Sequence, residues 1–542
     1  MKNKICLCII SYFIMSGIGA QNPEIIKDIF IGEQNSGATR FSLLNDKVSF
    51  LAYDGVNGVE LWSTDGTEIG TQMIKNIGPL DESLCESVTG CGDEYIVMNN
   101  ILYFRASDNL HGAEIWRSDG TEEGTYMVKD INLGVGDCSN SFYMNAQYFA
   151  VMNNILYFAA DGGGNNIELW RSDGTELGTY LVKDFAEGES SIPQYLTNIN
   201  GVLYFRVKNA LGEPELWKTD GTESGSILLK QMWMRGFDNY RDYFFEYNGY
   251  IYFAGNQNDP NDLELWRTDG TPEGTQLFMN LNDFNGSDPH AFHIVNDKLL
   301  FTADLQIGYR LFISDGTVTG TLQLYDENEN EFEPAFYGNL FAYDKLFFQG
   351  GNDFNQDGLW ITDGTNSGTR FLLSIESGSF SEYHATVVNG NNILFRSYDS
   401  DNGCYAIFQS DGTIDGTFQA VQCNVVQHPY DLITYNEKVI LNATSDEFGA
   451  EAWLYRPNFA STSKENVKNE NLKIFPNPAT KELTIASNNF SKNTEIVCTD
   501  ILGKIIFTTT LKSKLQTINI DHLPVGIYFM QFENFTEKFI KE

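Results

Sequence analysis

Short apolar runs alternate with polar turn residues along almost the whole chain, and the period of alternation is two. In residues 146 to 184, "QYFAVM" alternates as a strand, Asn153-Asn154 forms a tight turn, and "ILYFAA" is a second strand. A Gly/Asn loop leads to a third, "IELWRS", and "DGTELG" turns into a fourth, "TYLVKD". The first turn recurs as Asn45-Asp46, Asn99-Asn100, Asn200-Gly201, Asn248-Gly249 and Asn296-Asp297. These residue types tolerate the positive φ that two-residue hairpins require. The pattern predicts four-stranded meanders and almost no helix. Abundant Gly (49), Phe (39) and Tyr (27) agree with strands joined by tight turns.

The unit repeats. Asp-Gly-Thr recurs with its aspartate at Asp65, Asp119, Asp173, Asp220, Asp269, Asp315, Asp363 and Asp411, a spacing close to 48 residues. Four strands per such period predict the blades of a β-propeller. A ninth unit, 430 to 456, has three strands but no DGT and no fourth strand. The missing strand is found at the other end, where "EIIKDIFIG" (24 to 32) matches "YMVKDINLG" (126 to 134). The expected fold is therefore all-β, a ring of about nine four-stranded blades closed by an N-terminal strand that completes the last blade, which removes the two open sheet edges at the ends of the array.

The repeated line mixes polar and aromatic residues as a site would, yet its regularity predicts scaffold. The eight aspartates are expected to accept backbone N–H bonds within their turns. Trp62, Trp116, Trp170, Trp217, Trp266, Trp360 and Trp453 are expected to pack between blades, because Phe312 and Phe408 substitute in register. Glu60, Glu114, Glu168 and Glu215 are each followed fifteen residues later by Lys75, Lys129, Lys183 and Lys230. This covariation predicts cross-strand ion pairs, with Glu451 meeting Lys27 at the ring closure.

The first twenty residues place Lys2 and Lys4 before a short apolar run that ends in small residues, the layout of a signal peptide cleaved after Ala20. No later stretch is apolar and long enough to span a bilayer as a helix. The formal net charge of −38 repels phosphate backbones and disfavours nucleic acid as a partner, while it attracts cations such as Ca²⁺. Of the six cysteines beyond the leader, Cys404 and Cys423 flank one hairpin and form the expected disulfide. Residues 457 to 470, polar and Pro-containing, read as a linker between a domain at 21 to 456 and another at 471 to 542.

Candidate chemistry lies where copies depart from the repeat. Asp353, Asn355 and Asp357 begin an oxygen-rich Ca²⁺ loop, but the twelfth position is Gly364 and an ordinary hairpin turn explains them as well. Trp233, Arg235 and Tyr240 interleave aromatic and cationic groups that could hold a protein or sugar, and also read as strand residues. Asp288, His290 and His293 could bind metal or move protons, against a structural role. No GxSxG, HExxH or P-loop pattern occurs, and the carboxylates are too numerous to locate a glycosidase pair.

Two resemblances rest on these residues. "VELWSTDGTEIGT", "AEIWRSDGTEEGT", "IELWRSDGTELGT" and "PELWKTDGTESGS" resemble the ELWxxDGT repeats of secreted bacterial proteins, over residues 24 to 456. That family implies a repeated β-architecture outside the cell and no transferable activity. "LKIFPNPATKELTI" (472 to 485), "DILGKII" (500 to 506), "LPVGIYFMQF" (523 to 532) and "KFIKE" resemble the type A C-terminal sorting domain of the type IX secretion system of Bacteroidota. This implies a small β-sandwich at 471 to 542, Sec export, engagement of the type IX machinery, and release or attachment at the outer surface. The expected function is a secreted or cell-surface, non-enzymatic propeller that binds protein or glycan. The alternatives are a polysaccharide-active enzyme working near the channel and a structural adhesion element.

Overall fold

In the computed structural model the chain divides into two compact units, Met1–Asn458 and Phe459–Glu542. The structure describes residues 22 to 457 except 79–94, 109, 134–148, 165, 235–242, 307, 335–339, 343–344, 352–356, 376–384, 389–391 and 400–401. It also describes 472 to 541 except 476–478, 488–493, 501–504, 512–514, 525 and 533–534. The expected leader, the expected linker from 458 onward, and Cys85, Cys91 and Cys138 lie outside the described residues.

The first unit is a propeller ring of nine antiparallel blades. Blade 1 shows the pattern, with strands Thr39–Leu44, Lys47–Tyr53, Val59–Thr64 and Gln72–Lys75 hydrogen-bonded in sequence order. The first strands of blades 1 to 4 touch in turn, as do those of blades 5 and 6, of blades 7, 8 and 9, and of blades 9 and 1. First strands therefore form the inner wall and fourth strands the rim. At the turn between the two inner strands Asn45, Asn99, Asn153, Asn200, Asn248 and Asn296 all take φ near +50°, the left-handed conformation that the tight hairpin demands.

Each blade buries both faces, so the core lies between blades rather than within them. Leu44, Leu61 and Ile74 of blade 1 pack with Leu102, Phe104 and Trp116 of blade 2 in one cluster. Two-sided burial explains why the second strands read as nearly unbroken apolar runs such as "VLYF". Each fully buried Phe or Leu contributes roughly 1.5–3 kcal/mol.

Two blades depart from the plain meander. In blade 5 the inner strand is split into Trp233–Met234 and Phe245–Tyr247, both paired with Tyr250–Asn256. In blade 7, Glu333–Pro334 and Leu340–Ala342 share the partner strand Lys345–Gly351.

The N-terminal strand closes the ring. Glu24 and Ile25 pair with Leu454 and Trp453, and the amide of Ile26 donates to Ala452 O at 3.0 Å. Farther along, the amides of Ser36 and Gly37 both reach Ala450 O, and Arg456 bridges Glu24 at 2.6 Å. The Glu451–Lys27 ion pair does not form. Instead Glu451, fully buried, accepts the Phe30 amide at 3.2 Å and the Ser36 hydroxyl at 2.6 Å. Lys27 crosses to blade 1, where its amine donates to Thr71 O at 2.9 Å and lies 6.0 Å from the centre of the Trp62 ring.

The second unit contains two antiparallel sheets. One joins Leu472–Phe475, Glu482–Ser487 and Leu515–Asn519, and the other orders Ile505–Leu511, Thr494–Asp500, Gly526–Phe532 and Phe535–Lys541. Leu483 and Ile485 of the first sheet share one buried cluster with Ile496, Cys498, Tyr528 and Met530 of the second.

Burial pushes the Glu451 carboxyl up to about 7, outweighing its hydrogen bonds. A folded-state value above the unfolded one of about 4.3 means that its contribution is fully present below that value and lost as pH rises through 7. For Glu451→Gln, the stability difference from wild type should move in favour of glutamine by up to roughly 3 kcal/mol between pH 4.5 and pH 8. Denaturation of both proteins across that range measures it; a difference independent of pH would contradict it.

Candidate functional site: the inner wall of the ring

The repeated polar line is occupied within the scaffold. In blade 1, Asp65 Oδ1 accepts the Thr67 amide at 2.9 Å and its hydroxyl at 2.6 Å, and Thr67 Oγ1 accepts the Gly70 amide at 3.0 Å. The Thr71 hydroxyl donates to Thr67 O at 2.7 Å and contacts the Thr64 hydroxyl, which itself accepts the Gly66 amide. The same bonds recur around Asp119, Asp173, Asp220, Asp269, Asp315, Asp363 and Asp411. The threonine hydroxyl holds the carboxyls of Asp65, Asp119, Asp173, Asp220, Asp269 and Asp315 below their usual range. The glycine that ends each turn is required by this packing: a Cβ on Gly178 would lie 2.0 Å from Asp173 Oδ1.

Each turn is also seated on the preceding blade. A Cβ on Gly174 would meet Tyr103 Oη at 2.2 Å, and one on Gly221 would meet Tyr157 Oη at 2.0 Å. Gly66 faces Leu454 of blade 9, which carries the arrangement through the closure. The lysines extend the same contact. Lys75, Lys129 and Lys230 donate to the carbonyls of Thr125, Thr179 and Thr275 in the next blade, at 2.6 to 2.7 Å. Lys183 and Lys230 lie 5.2 and 5.3 Å from the ring centres of Trp217 and Trp266.

The expected Glu–Lys pairs are thereby corrected. A bulge between strands three and four sets Lys75 opposite Leu61 and Lys129 opposite Ile115. Lysine and glutamate consequently point to opposite faces of the blade. Three glutamates turn inward onto backbone amides, Glu60 accepting Ile77 N, Glu114 accepting Ile131 N and Glu168 accepting Phe185 N, each at 3.1 Å, while Glu215 accepts Asn209 Nδ2 at 3.0 Å and Trp217 Nε1 at 2.8 Å. Ser191 and Ser287 complete the sites of Glu168 and Glu264 with hydroxyl bonds of 2.5 and 2.6 Å. Burial nevertheless raises both carboxyls above their ordinary range. Arg310, which replaces the glutamate in blade 6, bridges Glu331 at 3.1 Å.

Of the recurring tryptophans, Trp62, Trp116, Trp266, Trp360 and Trp453 are buried, and Trp170 and Trp217 are half-buried against the neighbouring blade. Cys404 and Cys423 form a disulfide with Cα atoms 6.1 Å apart. Trp233 is half-buried on its short inner strand, while Arg235 and Tyr240 lie outside the described residues, as do Asp353 and Asn355. Asp357 is exposed just before the strand Gly358–Thr362. His290 is buried, with Nδ1 2.8 Å from Asp288 O, and packs edge-on to Tyr309. His293 is half-buried on the same inner strand, and desolvation lowers its pKa to about 4. Among the described residues, no group of three or more His, Cys, Asp or Glu is arranged to hold a metal ion.

Departures between blades gather at one level of the inner wall. The inner strands of blades 1, 4, 6 and 9 bulge between Thr39 and Ser42, Gln194 and Thr197, His290 and His293, and Tyr430 and Ile433. Arg40, Tyr195, Ala291 and Asp431 sit in these bulges at φ +51 to +62°, a conformation unfavourable for residues with a Cβ. The splits in blades 5 and 7 fall at the same register. Bulges of this kind re-aim side chains next to functional sites. Sequence reading found Trp233 and His293 by composition and missed Arg40 and Asp431, whose signal is a cross-strand register with no residue-level signature.

Comparison with known proteins identifies the second unit. Residues 473–542 match the family described as secretion system C-terminal sorting domain. This segment is a type IX sorting domain. It directs secretion to the cell surface or the extracellular space, and no helix among the described residues is long and apolar enough to cross a membrane. No curated protein matches the chain. Among solved structures, PorZ, a surface component of the type IX secretion system of Porphyromonas gingivalis, is 11% identical with a TM-score of 0.32, over 93% of this chain and 75% of its own. A puromycin-hydrolyzing peptidase of Mycobacterium tuberculosis is 10% identical with a TM-score of 0.35, over 70% and 62%. A prolyl endopeptidase is 11% identical with a TM-score of 0.37, over 70% and 55%.

Gly178→Ala should destabilise blade 3 by roughly 1–3 kcal/mol through overpacking against Asp173. The double variant Asp173→Ala/Gly178→Ala should lose less than the sum of the single variants, which urea denaturation of all three reads directly. Additive losses would place the glycine requirement elsewhere.

Proposed function

We propose that the ring is a non-enzymatic binding module, delivered outside the cell by its sorting domain to engage a glycan or protein through its inner wall. The observation that carries this reading is the division of labour between positions. The aspartates, threonines, glycines, glutamates and lysines that recur are committed to turns and blade contacts. The residues that vary sit at the bulged level of the inner strands.

Between that level and the hairpin turns, the wall suits recognition. Leu43 and Ile294 leave 49% and 39% of their surface exposed, and Val97, Val151 and Val387 are half-buried at matching positions. Polar side chains interrupt this apolar belt: Asn198 and Thr434 donate to the inner-strand carbonyls of Val151 and Val387 in the preceding blades. Apolar surface with a few oriented polar groups is the usual composition of a ligand site. The likeness of the motif to ELWxxDGT repeats implies the same extracellular setting, with Sec export and loss of residues 1–20 before passage through the type IX machinery.

Screening the full chain against glycan arrays and surface-protein extracts, with and without Ca²⁺, tests the proposal. Saturable binding abolished by substitutions at the inner-strand bulges, without turnover of the ligand, is the expected result. Chemical conversion of a bound polysaccharide would overturn it. A requirement for Ca²⁺ would add the Asp353, Asn355 and Asp357 loop to the site.

A further inference from the structure

Blade 8 lacks the buried glutamate of most other blades and carries a disulfide in its place. Glu60, Glu114, Glu168 and Glu264 each accept the backbone amide seventeen residues on, those of Ile77, Ile131, Phe185 and Leu281. These bonds tie the crossover that leaves strand four to strand three of the same blade. Blade 8 runs from the strand Ala385–Val388 to the strand Phe418–Val421, and its register sets Ala406 opposite Ser397, where blade 1 has Glu60 opposite Ala52. Seventeen residues beyond Ala406 stands Cys423, buried and bonded to Cys404 at the start of strand three. We infer that the Cys404–Cys423 disulfide is the clamp of blade 8, a covalent tie in place of the carboxylate, and that it makes the joint between blades 8 and 9 firm only in oxidising surroundings.

The tie holds more than its own blade. The crossover after Cys423 is short: the Val425 amide donates to Gln422 O at 3.1 Å, Val426 is buried, and the inner strand of blade 9 begins at Gln427. Tyr405, next to Cys404, carries the Arg396 guanidinium at 4.0 Å and has the His428 ring 5.7 Å away, so the two sides of the joint meet beside the disulfide. Farther along the same strand, Asp431 accepts the Arg40 amide at 2.9 Å and links it to the seam. The hairpin that delivers Cys404 is fixed independently by Asp399, which accepts Asn402 Nδ2 at 2.7 Å and Gln419 Nε2 at 3.0 Å. Loss of the disulfide therefore frees the crossover rather than the hairpin.

Cys404 is half-buried while Cys423 is 3% exposed, so a dithiol meets the Cys404 sulfur first. Its thiolate attacks Cys404 Sγ, and the S–S electron pair leaves with Cys423 Sγ, which takes a proton. The second thiolate then displaces Cys404, which is protonated in turn as the reagent closes to its own disulfide. The reverse exchange, with a disulfide as the oxidant, forms the tie. Disulfides persist outside the cell, which is where the sorting domain directs the chain. The glutamate clamps of the other blades do not respond to thiols, so the joint between blades 8 and 9 is set apart from them by its chemistry and not by its place in the fold.

Hydrogen exchange of the full chain, with and without dithiothreitol, tests the inference. Reduction should speed exchange of the amides of residues 421 to 431 about tenfold or more, while the matching segment of blade 3, residues 182 to 191, keeps its rate. Cys404→Ser/Cys423→Ser should exchange like the reduced protein in both conditions. Restoring a carboxylate with Cys404→Ala/Ala406→Glu/Cys423→Ile should return slow exchange and remove the response to dithiothreitol, because the amide at position 423 then has the partner that Ile77 has in blade 1. If the serine pair does not fold, reduction of the folded wild type decides. Unchanged exchange at 421 to 431 once both thiols titrate as free, or a loss of protection spread evenly over all blades, would overturn the thiol-dependent joint. A folded glutamate variant that exchanges as fast as the reduced protein would overturn the equivalence of disulfide and clamp.

Discussion

The seating of each DGT turn on the blade before it is the contact on which the ring depends. Flat sheets stacked around an axis have no covalent reason to keep their spacing, so something must fix the distance between neighbours at the rim as well as in the core. The turn does this with a close approach that only glycine permits, as at Gly174 beneath Tyr103 and Gly221 beneath Tyr157. It is stiffened internally by the aspartate and threonine bonds, and in blades 2, 3 and 5 it is held from outside by a lysine of the preceding blade. Each single contact is modest, of order 1 kcal/mol for a hydrogen bond of this kind. Its repetition around a closed ring is what makes it decisive.

Closure gives the N-terminal segment a double role. Residues 24 to 26 supply the edge partner that blade 9 lacks, and Lys27 then performs for blade 1 what Lys129 performs for blade 3. The buried Glu451 ties the same segment by a carboxylate that burial holds near neutrality. Through Asp431 the closure also shapes the bulge at Arg40, so the seam of the ring and the wall of the proposed ligand site are mechanically one feature. The sorting domain is a separate unit that explains where the ring works, while the inner strands bear on what it works on.

Much of this architecture was legible in the residues alone. Period-two alternation, Asn-rich turns and the recurring DGT gave the blades, and the match of "EIIKDIFIG" to a fourth strand gave the seam. What failed was the pairing of Glu with Lys. Covariation fifteen residues apart identified two residues that belong to the same device, but a bulge turned them to opposite faces, and no sequence period encodes a bulge. The lysine answers to the next blade and the glutamate to backbone amides seventeen residues on, as in Glu60 with Ile77 and Glu168 with Phe185. The inner wall was illegible for a related reason: Arg40, Tyr195, Ala291 and Asp431 are unrelated side chains that share only a backbone conformation.

Hydrogen exchange of the intact chain tests most directly whether the repeated motif and the N-terminal strand together hold a closed nine-bladed ring. The amides of Ile26, Phe30, Ser36 and Gly37 should be protected as strongly as those of Gly449–Tyr455, and Lys27→Ala should loosen both segments together. Rapid exchange of residues 24 to 37 in the native protein, with blade 9 still protected, would contradict the closure and the account built on it.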